Sequence, residues 1–329
     1  MADTAPEHPG PPKARVAIFI SGTGTNMAAL LYASRLPGAA YEVVLVASNQ
    51  PAATGLALAQ SEGIATFSQP HKGMDRAAHD QVMEAAAIRA RADYIILAGY
   101  MRILSDEFVR RWHGRMLNIH PSLLPKYRGL DTYQRAIDAG DETAGATVHL
   151  VSTELDAGEI LGQIAVTVQP GDSADSLARR IRIAEHQLYP QIVARYVARQ
   201  YDAGWLLAQI RRMALQMPET EERESHGAPA WRTGGKSGKY FAHFADRHHG
   251  VPHVALLVKT GGQDELGALI DNDPDAFFRP AYYGASGWVG IILNRPGLDW
   301  DQVTYWLQRS WQSAAPKRLS RLFAAASEF

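Results

Sequence analysis

A chain of 329 residues is long enough for two ordinary domains, and 46% hydrophobic residues let each half build a core. Lys plus Arg (33) and Asp plus Glu (34) nearly cancel, which leaves no electrostatic footprint for bulk nucleic acid or an anionic membrane, although a local basic patch stays open. The absence of cysteine excludes disulfides, thiolate nucleophiles and cysteine-based metal sites, and no run approaches the roughly 20 apolar residues of a membrane span.

Residues 1–13 are rich in Pro and Ala, lack an apolar segment, and read as a disordered tail rather than a signal peptide, which predicts a cytoplasmic protein. Residues 16–20 form a short, almost wholly apolar run, the pattern of a strand buried on both faces of a parallel sheet. A Gly-rich turn follows, then a helix over 27–35, a second buried strand over 43–47 and a second helix over 52–62. Residues 76–91 read as a longer helix, 94–98 as a strand, 106–112 as a helix, and 116–120 as a strand stopped by Pro121. This alternation predicts an α/β fold with an open, doubly wound, mostly parallel sheet. Residues 147–151 and 160–168 read as further strands, antiparallel ones among them. One long helix over 173–200, carrying Pro190, closes a first domain spanning 14–203. Residues 200–204 read as a short connection with Gly204 as a helix-ending glycine. The second domain, 207–329, begins with a helix from about Leu207. Strands around Ala230 and Tyr240 and over 254–259 follow, then a helix over 265–272, a strand over 288–293 and a last helix over 300–313. Helices at the ends with strands between them predict a small α+β domain.

Between the first strand and first helix lies Ser21-Gly22-Thr23-Gly24-Thr25-Asn26. Glycine there lets the backbone approach an anion, and the helix start offers free N–H groups. The segment lacks the Gly-Lys-Ser/Thr of a P-loop. It also lacks the third Gly or Ala of a dinucleotide fingerprint, because position 27 is Met. A site for one terminal phosphate and a tight turn that binds nothing both fit. Further on, Asn118 and His120 lie two apart on one strand, so both side chains share a face. Acyl transfer to an amine needs a donor for the oxyanion, which the Asn118 amide supplies, and a group that relays a proton near neutral pH, which histidine supplies. A carboxylate should orient the histidine, and Asp156 in Glu154-Leu155-Asp156-Ala157-Gly158 is the candidate. An Asn-x-His pair alone fits a hydrogen-bonded strand end equally well. By pattern, Met101-Arg102-Ile103-Leu104 reads as core with one solvated arginine.

Residues 21–26, Ala98-Gly99-Tyr100-Met101-Arg102-Ile103-Leu104, Leu117-Asn118-Ile119-His120-Pro121-Ser122-Leu123-Leu124-Pro125 and residues 154–158 occur in order. Together they resemble the phosphoribosylglycinamide formyltransferase family, folate-dependent enzymes of purine synthesis, over about residues 15–196. The resemblance implies Asn118, His120 and Asp156 as the catalytic set. It implies Gly24, Thr25, Asn26 and Glu185 as contacts to glycinamide ribonucleotide, and Arg76, Met101, Arg102, Ile103, Leu104 and Asn118 as contacts to 10-formyltetrahydrofolate, the cosubstrate, with no metal. The family usually reads Pro-x-(Tyr/Phe)-x-Gly-Leu-His after Leu124. This chain has Pro125-Lys126-Tyr127-Arg128-Gly129-Leu130-Asp131, so a mobile active-site loop carries Arg128 and lacks the histidine. The Arg-Gly-Ala-Ala-Pro usual in the methionyl-tRNA enzyme is absent. Formyltetrahydrofolate hydrolase carries an N-terminal regulatory domain, for which a thirteen-residue tail is expected to leave no room.

In the second half, the segments 217–222, 226–231, Gly234-Gly235-Lys236, 273–278, Gly287-Trp288-Val289 and 315–319 resemble the MmcQ/YjbR family, whose fold is likened to CyaY and frataxin, over about residues 207–319. That resemblance implies a nucleic-acid-binding or regulatory role. Trp231, Tyr240, Phe278, Trp288 and Trp306 read as core. Lys236, Lys239, Lys259, Lys317 and Arg318 read as a solvated surface, with a basic face as the alternative. His248, His249 and His253 share a loop without the carboxylates of a metal site. The expectation is therefore a formyltransferase with an appended domain. The competing expectation is a nucleic-acid-binding or regulatory protein on a retired enzyme fold, which the intact Asn118, His120 and Asp156 disfavour.

Overall fold

The computed structural model describes residues 13–235, 238–247, 251–295 and 298–326, with side chains through residue 321. The expected tail, apart from Lys13, lies outside the described residues, as do Lys236, His248 and His249. The chain divides into two compact units between Ala198 and Arg199.

The first unit runs β1 (Ala14–Ile20), α1 (Thr25–Ser34), β2 (Tyr41–Ser48), α2 (Thr54–Ser61), β3 (Thr66–Ser68), α3 (Arg76–Arg89), β4 (Tyr94–Leu97), α4 (Asp106–Arg111), β5 (Met116–His120), α5 (Thr132–Asp138), β6 (Thr143–Leu150), β7 (Ile160–Thr167) and α6 (Ala174–Ala198). Its seven strands lie in the order β3-β2-β1-β4-β5-β6-β7. The first five are parallel and the last two antiparallel, so the sheet is mostly parallel as the apolar runs predict. Strand order reverses between β1 and β4, which makes the loops after these two strands the walls of the crevice where open α/β sheets bind ligands. Val16, Ile18 and Ile20 of β1 face α1, α2 and α6, while Ala17 and Phe19 face α3 and α4. The buried Tyr189 hydroxyl of α6 donates to the carbonyls of Leu97 (3.0 Å) and Leu117 (3.1 Å), tying the long helix to the ends of β4 and β5.

Two elements of this unit escape the sequence pattern. The strand β3 has three half-exposed residues at the sheet edge, too few for a periodicity to develop. The helix α5 is a seven-residue segment that starts after Asp131, a non-glycine residue at φ 58°.

The second unit opens on a 3-10 turn (Arg199–Tyr201) and runs α7 (Ala203–Leu215), β8 (Thr220–Ser225), β9 (Ala228–Thr233), β10 (Lys239–Asp246), β11 (Val254–Lys259), α8 (Gln263–Asn272), β12 (Phe277–Phe278), β13 (Trp288–Ile292), α9 (Trp300–Ala314) and α10 (Lys317–Ala326). The strands form one antiparallel sheet in the order β12-β13-β11-β10-β9-β8. Helices α7, α8 and α9 cover one face, burying Leu206, Ile210, Trp231, Phe241, Trp306 and Trp311.

The connection expected over 200–204 is different. Asp202 caps α7, its carboxylate accepting from the Trp205 N–H at 2.6 Å, so Gly204 stands in the first turn of a helix rather than ending one. Trp205 and Leu206 pack into the second core. The strand β8 is charged because it is an edge: Glu222 pairs with Arg211 on α7, and Glu221 with Arg232 across the ladder on β9. The helix expected to be last is followed by α10. Pro316 opens it, its carbonyl accepting the first helical bond from Ser320 N–H at 3.1 Å.

Candidate active site

The antiparallel register of β5 against β6 sets Asn118 opposite His149 and His120 opposite Thr147. Period two then puts all four side chains on the α3 and α4 side of the sheet. The Asn118 amide donates to His149 Nε2 at 3.2 Å. His149 is oriented for this because its Nδ1–H donates to the Leu150 carbonyl at 2.8 Å, which leaves Nε2 as the acceptor. Burial holds the His149 pKa below the ordinary histidine range, so the ring is neutral.

His120 Nδ1 faces Asp156 Oδ2 at 3.3 Å, and His120 Nε2 faces the Tyr127 carbonyl at 2.9 Å. An imidazolium at this position has an acceptor for each N–H. The Asp156 carboxylate also accepts from Gly129 N–H at 3.0 Å, and its Oδ1 lies 3.6 Å from His149 Nε2. Its side chain is only 7% exposed, so the charge is well shielded from water. Asp156 has φ 49°, and the turn can close because residue 158 is glycine: a Cβ there would sit 1.8 Å from the Leu150 carbonyl oxygen.

The turn after β5 is fixed by Thr147. Its hydroxyl donates to the Ser122 carbonyl (2.6 Å) and accepts from Leu124 N–H (3.0 Å) and Gln163 Nε2 (2.9 Å). The 125–131 loop clasps the Asp156 loop at two points, through Gly129 N–H on Asp156 and through an Arg128–Glu154 ion pair. The structure brings together Asn118, His120 and Asp156, which the sequence singles out, with His149 and Thr147, which it does not. The alternation along 147–149 puts those two on one face, but only the pairing register brings that face to Asn118.

At the crevice between β1 and β4, Ser21 joins the two loops. Its N–H donates to the Gly99 carbonyl (3.1 Å), and its hydroxyl accepts from Met101 N–H (2.7 Å) and donates to Asn49 Oδ1 (2.6 Å). Gly24 precedes α1 at φ 73°, where a Cβ would meet Met27 Cε at 2.9 Å and the Gly55 backbone at 3.0 Å. Asn26 Nδ2 donates to Glu185 Oε2 at 2.8 Å across 159 residues of chain, so the two halves of the predicted ribonucleotide side meet. Burial raises the Glu185 pKa, and the buried Asn26 Oδ1 has no hydrogen-bond partner.

A family model described as formyl transferase matches residues 14–193, more than half of the chain. The chain belongs to the formyl transferase family. It is 39% identical over 196 residues to the phosphoribosylglycinamide formyltransferase of Escherichia coli, a match spanning 58% of this chain and 92% of that protein. It is 44% identical over 198 residues to the trifunctional purine biosynthetic protein adenosine-3 of Bos taurus, 59% of this chain but only 20% of that relative. The solved phosphoribosylglycinamide formyltransferase from Brucella melitensis is 49% identical and superimposes with a TM-score of 0.55, covering 57% of this chain and 97% of that one. A second model, YjbR, matches residues 215–313.

In this formyl transferase fold, only part of the stretch 101–104 is core. Met101 and Ile103 are 73% and 59% exposed, Leu104 is buried, and Arg102 is half-buried. Arg76 opens α3 just after its capping residue Asp75. In the second unit, Trp231, Trp306 and Trp288 are buried core, Trp288 in a smaller cluster on the sheet face opposite α7 and α9, where Tyr240 and Phe278 are only partly buried. Arg318 is paired with Glu219 at 2.6 Å, whereas Lys239 and Lys317 line one cleft. His253 packs against Phe278, ring centroids 5.6 Å apart.

Proposed function

We propose that the first unit transfers the formyl group of 10-formyltetrahydrofolate to the amine of glycinamide ribonucleotide. The observation that carries this reading is the buried chain Asn118–His149 and His120–Asp156 at the ends of β5 and β6. The substrate amine attacks the formyl carbon and a tetrahedral intermediate forms. His149 holds one Asn118 amide hydrogen, which leaves the other to donate to the oxyanion. His120 takes the proton from the attacking nitrogen and delivers it to N10 of the folate as the C–N10 bond breaks. Asp156 orients His120 and stabilises its imidazolium. In the free enzyme His120 Nε2 lies 2.9 Å from the Tyr127 carbonyl, and any proton held between them must pass to water before Nε2 can act as the base. The substrate amine takes over that nitrogen when the 125–131 loop shifts.

On this reading Gly24, Thr25, Asn26 and Glu185 hold the ribonucleotide, its phosphate lying at the start of α1. Arg76, Met101 to Leu104 and Asn118 hold the folate, with Met101 and Ile103 as the apolar bed for its ring. Asn118 and His120 account for the chemistry without a metal. The test is an assay of the purified chain with 10-formyltetrahydrofolate and glycinamide ribonucleotide. Formyl transfer that needs both substrates and falls about 10²–10⁴-fold in His120→Ala supports the reading. Near-wild-type turnover in that variant, or no consumption of the ribonucleotide, overturns it.

A further inference from the structure

The sheet face of the second unit opposite α7 and α9 carries a concavity of about 500 Å³, within the range of small-molecule sites. Formyl transfer leaves it unused. Its floor is made of small side chains, Ala228 on β9, Ala245 on β10 and Ala255 on β11, which leave room for a flat body to lie against the sheet. Rings wall it, from Phe278, Tyr282 and Tyr283. The only basic side chains among the described residues lining it are the imidazoles of His226, His243 and His253, and none of these lining residues is Asp, Glu, Lys or Arg.

His243 lines this concavity, 7% exposed and set among three aromatic rings. Its ring centroid lies 5.0 Å from Tyr283, 5.1 Å from Trp288 and 5.3 Å from Tyr240. Burial lowers the pKa of His243 to about 4 and lowers that of His253 as well. Near neutral pH both rings are uncharged, and each carries one donor and one acceptor nitrogen.

We propose that this concavity binds a small, planar, uncharged heteroaromatic molecule of one or two fused rings. A charged ligand would lose its hydration, and among the described lining residues no Asp, Glu, Lys or Arg offers it a counter-charge. A saturated hydrocarbon would cover the imidazole nitrogens without pairing them, at the cost of a lost hydrogen bond for each. A flat ring with nitrogen edges avoids both costs and stacks on the tyrosine and phenylalanine walls.

The test uses the full chain, with adenine as probe and cyclohexanecarboxamide as an uncharged, non-planar comparator of similar size. Binding is followed by calorimetry and ligand-observed NMR. Adenine is expected to bind with a Kd of about 1 mM or tighter, and the comparator at least about tenfold more weakly. Ala245→Leu and Ala228→Leu each fill the floor. Each is expected to weaken adenine binding at least about tenfold while leaving formyl transfer unchanged. Circular dichroism shows which variants are folded, and one folded variant is enough to decide. The preference for the planar probe is a criterion that needs no variant. Failure of adenine to bind the wild type up to about 10 mM, equal binding of the two probes, or undiminished adenine binding in a folded floor variant would each overturn the proposal.

Discussion

Asp156→Asn isolates the electrostatic part of the proposed mechanism. The asparagine matches the shape of the aspartate and keeps an oxygen for Gly129 N–H, so what disappears is one buried negative charge 3.3 Å from His120 Nδ1. Two unit charges at that separation attract by about 4–5 kcal/mol at an effective dielectric of about 20. The attraction matters only once His120 becomes an imidazolium, which on this mechanism is in the transition state. At 1.36 kcal/mol per decade, the loss corresponds to about a 10³-fold fall in kcat. Because Asp156 touches no substrate in this scheme, KM for either substrate should stay within about threefold. Steady-state kinetics on wild type and variant, with circular dichroism to establish folding, measure both. A folded variant that keeps more than about a tenth of wild-type kcat would refute the assignment of Asp156, because the range for acid–base help begins at about 10².

Gly24→Ala should destabilise the first unit by about 1–3 kcal/mol through left-handed strain and overlap with Met27 and Gly55, and should raise KM for the ribonucleotide more than for the folate. Thermal melting and kinetics check it, and a neutral outcome in both would remove the loop from the site. His243 is buried in a form whose pKa is lowered to about 4, against about 6.5 unfolded, so the unfolded chain binds the extra proton as pH falls. The stability it contributes is complete above pH 6.5 and is lost progressively toward pH 4. His243→Leu should therefore flatten the melting temperature of the second unit between pH 6.5 and about 5.5, above most of the range where carboxylates titrate, and an unchanged slope would contradict this. Residues 1–202 should fold and transfer formyl groups alone, because α6 closes the first core through Tyr196 and Val197 while Ala203, Trp205 and Leu206 belong to the second. A soluble but inactive 1–202 fragment beside an active full chain would show that the second unit completes the site.

What the sequence reveals of this fold and site follows from the range of each signal. The runs at 16–20, 43–47 and 94–98 are legible because a parallel strand covered on both faces must be apolar at nearly every position. That Asn118 and His120 share a face is equally local, since it needs only the pleat of one strand. His149 depends on a non-local fact, the β5–β6 register, which nothing in residues 147–151 encodes on its own. The stretch 101–104 is misread at Met101 and Ile103 for the opposite reason, while Leu104 is core as expected. An apolar residue has the same composition in a core and on an exposed surface, and only the 73% exposure of Met101 separates the two. The same ambiguity recurs in the second unit. The β10–β9 register shifts between Tyr240 and Ala242, so Phe241 and Phe244 turn toward the helices while Tyr240 and His243 turn away. A strict two-residue period would put Phe244 on the same face as Tyr240; the bulge separates them. A sheet with rings on both faces reads, from composition, as one large core. The irregular register divides those rings into a packed face and a face with a concavity whose described lining is aromatic and small and holds no Asp, Glu, Lys or Arg, and the second of these invites a functional explanation.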